Sequence, residues 1–232
     1  MENYSEYIIP AILVVAVILI IVISYYYSPK SRIMRQLKKV RRKPIHSVRE
    51  NEYVKIVGKA KNKTSVTPLS APLSKRPCVY YHVKVEKKGD KSWHTIIDDI
   101  LFQDFYIQTT SESALVELNL TRKKQKLVHL VADHNAKSGF LKDADNTLEQ
   151  YLQQHNKKST NFLGLNRTLR YTERIIEIDE EIAVMGIGKW KTIDTPLDSY
   201  SDSRIVTLSG TEKQKLLVTD EPKAMEPVRR KL

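Results

Sequence analysis

The stretch CVYYHVKVE, residues 78–86, alternates strictly: Val79, Tyr81, Val83 and Val85 face one way, and Cys78, Tyr80, His82, Lys84 and Glu86 the other. Period two in β-branched and aromatic residues predicts a strand with one buried face. Lys87-Lys88-Gly89-Asp90-Lys91 supplies the turn of a hairpin, which returns through Trp93 to Ile97. Upstream, Tyr53 to Ala60 sets Val54, Ile56, Gly58 and Ala60 against Tyr53, Lys55, Val57 and Lys59. Further strands are expected at Ile100 to Thr109, Ala114 to Leu118, Lys126 to Ala132, Leu169 to Ile178, Ile182 to Gly188 and Arg204 to Leu208, with Asp98-Asp99 marking a turn. One helix, roughly Asp145 to His155, carries Leu148, Tyr151 and Leu152 at i, i+3 and i+4. The expected fold class is mainly β, an antiparallel barrel or sandwich of which an OB-type barrel is one form, with one inserted helix.

A single transmembrane helix is expected to precede this domain. Ile8 to Tyr27 carries no charge over twenty residues, about 30 Å of helix, which matches a hydrocarbon core. A cleaved signal peptide is the alternative, but Glu2 and Glu6 replace its basic leader and no small-residue cleavage site follows. Lys30, Arg32, Arg35, Lys38, Lys39, Arg41, Arg42 and Lys43 come next with no acid among them. By the positive-inside rule the N-terminus then lies outside and the domain in the cytoplasm. Ser28 and Pro29 read as the N-cap and first residue of a helix whose Ile33, Met34, Leu37 and Val40 share a face, so residues 28–44 either lie on anionic lipid headgroups or serve as a stop-transfer flank. The organisation is a short segment 1–7, a span 8–27, a basic juxtamembrane helix 28–44, a β-rich domain 45–210 and a loose polar tail 211–232.

Composition excludes several catalytic designs. The formal charge of +12 divides into −2 before residue 28, +8 in the basic stretch and +6 beyond it. That modest excess, with no recognised motif, argues against a nucleic-acid partner. One Cys and seven Gly leave no disulfide, no Cys-rich zinc site and no phosphate loop, and Gly186-Ile187-Gly188 lacks the Lys-Ser/Thr ending such a loop needs. No serine elbow or His-Glu-x-x-His pattern is present, and no cofactor is implied.

Two longer stretches, TPLSAPLSKRPCVYYHVKVE (67–86) and LGLNRTLRYTERIIEIDEEIAVMG (163–186), resemble the GIDE-type domain, also called the BAM ("beside a membrane") domain. The likeness covers residues from about 50 to 210. It implies kinship with the membrane domain of the mitochondrial ubiquitin ligase activator, a RING-type E3 ubiquitin ligase. A RING needs eight zinc ligands, however, and this chain offers one Cys and six His. What the resemblance leaves is a single-span, bacterial-type member: a non-enzymatic membrane-anchored binding or scaffold module. The alternative is a substrate-recruiting component of a ubiquitin-ligase-like system whose catalytic part is another chain.

The two motifs should meet in space, since both carry an apolar face needing burial. Tyr80, His82, Arg170, Tyr171, Glu173 and Arg174 are the expected binding residues for a protein or peptide partner, with Arg170 or Arg174 pairing with Glu86 or Glu173; a salt-bridged sheet surface is the plainer reading. Pro68, Pro72 and Pro77 predict a fixed, extended crossover, and Cys78 a small buried hydrophobe rather than a reactive thiol.

Overall fold

The computed structural model describes residues 5–118, 128–138, 145–160, 163–192 and 204–227. In chain order these hold α1 (Ser5–Tyr26), α2 (Pro29–Lys39), a 3-10 turn (Ile45–Ser47), β1 (Glu52–Lys61), β2 (Leu69–Ser70), β3 (Pro77–Lys88), β4 (Trp93–Phe102), β5 (Phe105–Gln108), β6 (Ser113–Val116), β7 (Val128–His129), β8 (His134–Ser138), α3 (Asn146–Gln154), β9 (Leu169–Glu177), β10 (Glu181–Thr192), β11 (Arg204–Ser209), β12 (Leu217–Thr219) and α4 (Pro222–Met225). The chain is mainly β.

Five strands close a ring in the order β1, β5, β6, β11, β10 and back to β1; all contacts are antiparallel except β6 with β11. Val54, Ile56, Phe105, Ile107, Ala114, Val116, Val184, Val206 and Leu208 fill it. Along one edge β10 holds β1, and along the other it holds β12 and then β11. Gly186 sits at that handover, where a β-carbon would stand 2.9 Å from the Ser209 carbonyl oxygen. While β7 extends the first sheet by pairing with β12, the second sheet is built from β2 to β4 and from β8 and β9, with β3 lying between β9 and β4 and β8 beyond β9. This half-barrel buries Val83, Val85, Ile97, Leu169 and Tyr171 against Leu148, Tyr151 and Leu152 of α3. Asp145 caps that helix by accepting from the Leu148 N–H at 2.7 Å.

Helix α1 exposes Ile12 to Ile23, each apolar side chain there more than half accessible. Among the described residues no single helix is long and apolar enough to cross a membrane; Pro10–Tyr26 and Lys30–Lys39 meet that test as a pair, bent by 56°.

Four expectations are corrected. The apolar face of α2 does not rest on lipid: Ile33, Met34 and Leu37 pack against Ala183, Met185, Leu217 and Ala224. The tail from 211 is not loose, because Leu216, Leu217 and Val218 are buried and β12 pairs with β10. Its overall polarity concealed that apolar triplet. Asp98 and Asp99 form no turn but lie mid-strand in β4, and each carboxylate has a partner. Finally, β3 loses its alternation at its start, where a register shift between Cys78 and Tyr80 accompanies burial of three consecutive residues. Residues 1–4, the start of the strand expected from Lys126 and the basic end Arg229 to Leu232 lie outside the described residues.

Candidate functional site

The two motifs are adjacent strands. Tyr80 stands opposite Ile176, His82 opposite Arg174 and Glu86 opposite Arg170 in the β3–β9 register. Within this pairing the six expected binding residues divide. His82, Arg170 and Arg174 stay partly exposed, whereas Tyr80, Tyr171 and Glu173 are 2%, 6% and 0% exposed.

The three buried groups serve the architecture. Both Glu173 oxygens accept backbone N–H groups, from Leu73 at 2.8 Å and Ser74 at 2.9 Å, which pins the proline-rich crossover onto β9. A carboxylate can be buried only when its lone pairs are met in this way. Arg76 reinforces the crossover through Glu177 at 2.7 Å and Asp133 at 3.0 Å. Cys78 packs with Ala71 and Ile175, and burial pushes its thiol up to about 12, the opposite of a reactive cysteine. Tyr80 joins the ring's core, and burial raises its phenol. The Tyr171 hydroxyl reaches Asp145 at 3.4 Å.

On the exposed side His82 Nε2 lies 2.7 Å from Asp98, and Arg170 pairs with Glu86 while its guanidinium stacks 4.5 Å from the Trp93 ring centre. The arginine's hydrogen bond holds the Glu86 carboxyl down to about 2. Of the two expected acids Glu86 takes the arginine, and a tryptophan from β4 supplies the stacking ring. Such a face is a salt-bridged sheet surface more than a pocket.

Inside the half-barrel, Asp99 accepts from Tyr151 at 3.0 Å and Tyr81 at 3.5 Å, with His155 at 3.7 Å. The cluster ties α3 to β3 and β4. Among the described residues no three His, Cys, Asp or Glu side chains converge to hold a metal ion.

The basic stretch divides as well. Lys30 pairs with Glu221, Lys43 pairs with Glu52, and Arg35 lies 3.6 Å over the Tyr26 ring. Arg32, Lys38, Lys39, Arg41 and Arg42 are exposed and make no ion pair among the described residues. Beneath them Lys55, only 1% exposed, donates to the Leu37 carbonyl at 3.0 Å and the Ala224 carbonyl at 3.2 Å. Those carbonyls end α2 and α4, where a helix dipole favours a cation. Burial, and secondarily the Arg42 charge, lowers the Lys55 pKa.

Beside this clasp runs a groove of about 700 Å³ between β1 and the turn Thr109 to Glu112, walled also by Arg42, Lys43 and His46. Sequence reasoning missed Lys59 and the Thr109 to Glu112 turn as parts of a site. Gly58 was the available signal: glycine inside a strand pattern marks a close backbone approach, and here a β-carbon would lie 2.4 Å from the Gln108 carbonyl oxygen. No family model, no curated protein and no solved structure matches this chain.

Proposed function

We propose that the chain is a membrane-anchored, non-enzymatic binding or scaffold module that holds an OB-type barrel against the cytoplasmic leaflet. The observation that carries this reading is the division of labour between the first two helices. All the apolar residues of α2 that could enter lipid are used up on the barrel, whereas those of α1 from Ile12 to Ile23 have no protein cover. At 22 residues α1 measures about 33 Å. Although α1 by itself is not long and apolar enough among the described residues to make a span, an apolar surface left uncovered on every side is more stable against lipid than in water. The five exposed cations of residues 28–44 left unpaired among the described residues give the orientation, with the barrel on their side.

Two further points support the reading. A closed five-stranded ring in Greek-key order is the plan of an OB-type barrel, a fold used for binding. The resemblance of residues 67–86 and 163–186 to the GIDE/BAM family is likewise to a domain held next to a membrane.

Protease added to the cytoplasmic face of sealed vesicles should digest the barrel and leave a protected fragment of about the length of α1. Protection of the barrel there, or release of the intact chain by carbonate washing, would overturn the reading.

A further inference from the structure

We propose that the groove between β1 and the Thr109 to Glu112 turn binds a phosphate monoester, carried by a lipid headgroup of the leaflet that α1 enters. The inference rests on the anchored reading above and names a ligand for the module.

The groove exists because the ring is splayed at one place. Strand β1 pairs with β5 only over Lys59 to Lys61. Short of that, the same neighbourhood of β1 is met by residues 42 and 43, through the Arg42 to Lys55 bridge and a Lys43 N–H to Lys55 carbonyl bond of 3.0 Å. The gap between these two attachments is the groove.

Its charges are unevenly engaged. Glu112 is fully employed as an anchor, accepting from the Ile45 and His46 N–H groups at 3.0 Å each and lying 2.8 Å from His46 Nδ1. Lys43 is held by Glu52. Arg42 and Lys59 are exposed and have no carboxylate within ion-pair distance among the described residues; Glu181, opposite Lys59 in the register, is the acid left in the wall. A guanidinium, an ammonium and the exposed Thr110 hydroxyl around one concavity suit a compact dianion with several acceptor oxygens.

Position favours a lipid as the source. Helix α2 has 11 residues, about 16 Å, and bends 56° from α1, so its far end lies roughly 9 Å deeper along the α1 axis. That is about one Debye length, so the leaflet's surface charge still acts there, and contact with a headgroup follows when α1 tilts and brings the rim of the groove down. Arg32, Lys38, Lys39 and Arg41 lie along the same approach and would draw the barrel towards an anionic leaflet.

The test uses the full chain in phosphatidylcholine nanodiscs containing either phosphatidic acid or charge-matched phosphatidylserine, with hydrogen exchange read at the amides of residues 57–59 and 109–112. Phosphatidic acid should slow exchange there well beyond phosphatidylserine. Arg42→Ala and Lys59→Ala should each weaken that response about tenfold, the scale of one lost charge-assisted contact. Glycerol phosphate added to plain phosphatidylcholine discs is the soluble arm; protection equal to that from phosphatidic acid would overturn the lipid source and keep the phosphate site. Equal protection by the two lipids, or protection indifferent to both substitutions, would overturn the groove and leave only general charge attraction. Entry of the chain into discs is read separately by co-elution, so failure of the anchor and failure of the groove give different results.

Discussion

The ring and the half-barrel bury their apolar faces by opposite means. In the ring, sheet closure does the work, and its core is almost wholly aliphatic and aromatic. The half-barrel keeps β4 paired on one side only, and its concave face needs a lid, the helix α3. A lid has to be located, and hydroxyl-to-carboxylate contacts locate it: Tyr151 to Asp99 and Tyr171 to Asp145. Closure by backbone pairing demands little of side-chain chemistry, whereas closure by docking concentrates polar partners at the dock.

The sharpest way to break this contrast is Leu152→Ala, which empties a fully buried position in the lid. A loss of about 3 kcal/mol is expected. The two tryptophans report separately, Trp93 from β4 and Trp190 from β10. Because β9 passes into β10 through a short turn, denaturant curves of Trp93→Phe and Trp190→Phe backgrounds should still coincide. Two separated midpoints would make the half-barrel an independent unit.

Gly58→Ala attacks the ring beside one of its two three-residue contacts, that of β1 with β5. The added methyl meets backbone, not a movable side chain, so about 2 kcal/mol should be lost. A neutral result in the melting curve would mean that β1 and β5 can part without cost to the ring.

Acidity tests the seam where β9 turns into β10 and β12 ends. Burial, with a smaller push from neighbouring carboxylates, takes the Glu180 carboxyl up to about 7 and that of Asp220 up to about 6. The folded state therefore keeps protons that the unfolded chain has released, and these groups' contribution is full below their unfolded pKa values and lost as pH rises towards 7. Stability should decline by on the order of 1–2 kcal/mol over that window. Glu180→Gln with Asp220→Asn should flatten the slope in denaturation series at stepped pH; an unchanged slope would place its origin elsewhere.

The smallest effect is expected from Arg170→Ala. Its partner Glu86 and the Trp93 ring lie on the solvated face, so the loss should stay within about 1 kcal/mol. A drop in melting temperature comparable to that of Leu152→Ala would instead make the pair integral to the half-barrel.

Alternation revealed β1, β3 and β9, where buried positions largely alternate with half-exposed ones, whereas β10, buried on both faces from Ile182 to Gly188, showed itself as a continuous apolar run. Alternation failed wherever a second layer covers the outer face. Lys55 falls on the polar side of β1, yet α2 and α4 bury it. Tyr80 occupies the polar side of β3, yet the ring takes it in. The tail failed for a related reason: three apolar residues between polar runs carry too little periodicity to reveal a strand such as β12. Of the site, the meeting of the two motifs and the Arg170 to Glu86 pair were legible from charge and pattern. The groove was not, because its walls come from segments separated by about 65 residues and are assembled only by pairing.

Lys55 also determines how the barrel is carried. A domain on a flexible linker samples every heading, and its surfaces meet the bilayer at random. Here the connector is itself part of the core, fastened by one ammonium to the ends of two helices. On the anchored reading proposed above, such a joint would act as a mount and not a tether, passing any rocking of α1 to the barrel as rotation. The barrel's heading is then written in residue count, since one residue inserted into α2 would turn everything after it by about 100°. The length of residues 28–44 is thus a setting of direction as much as of distance.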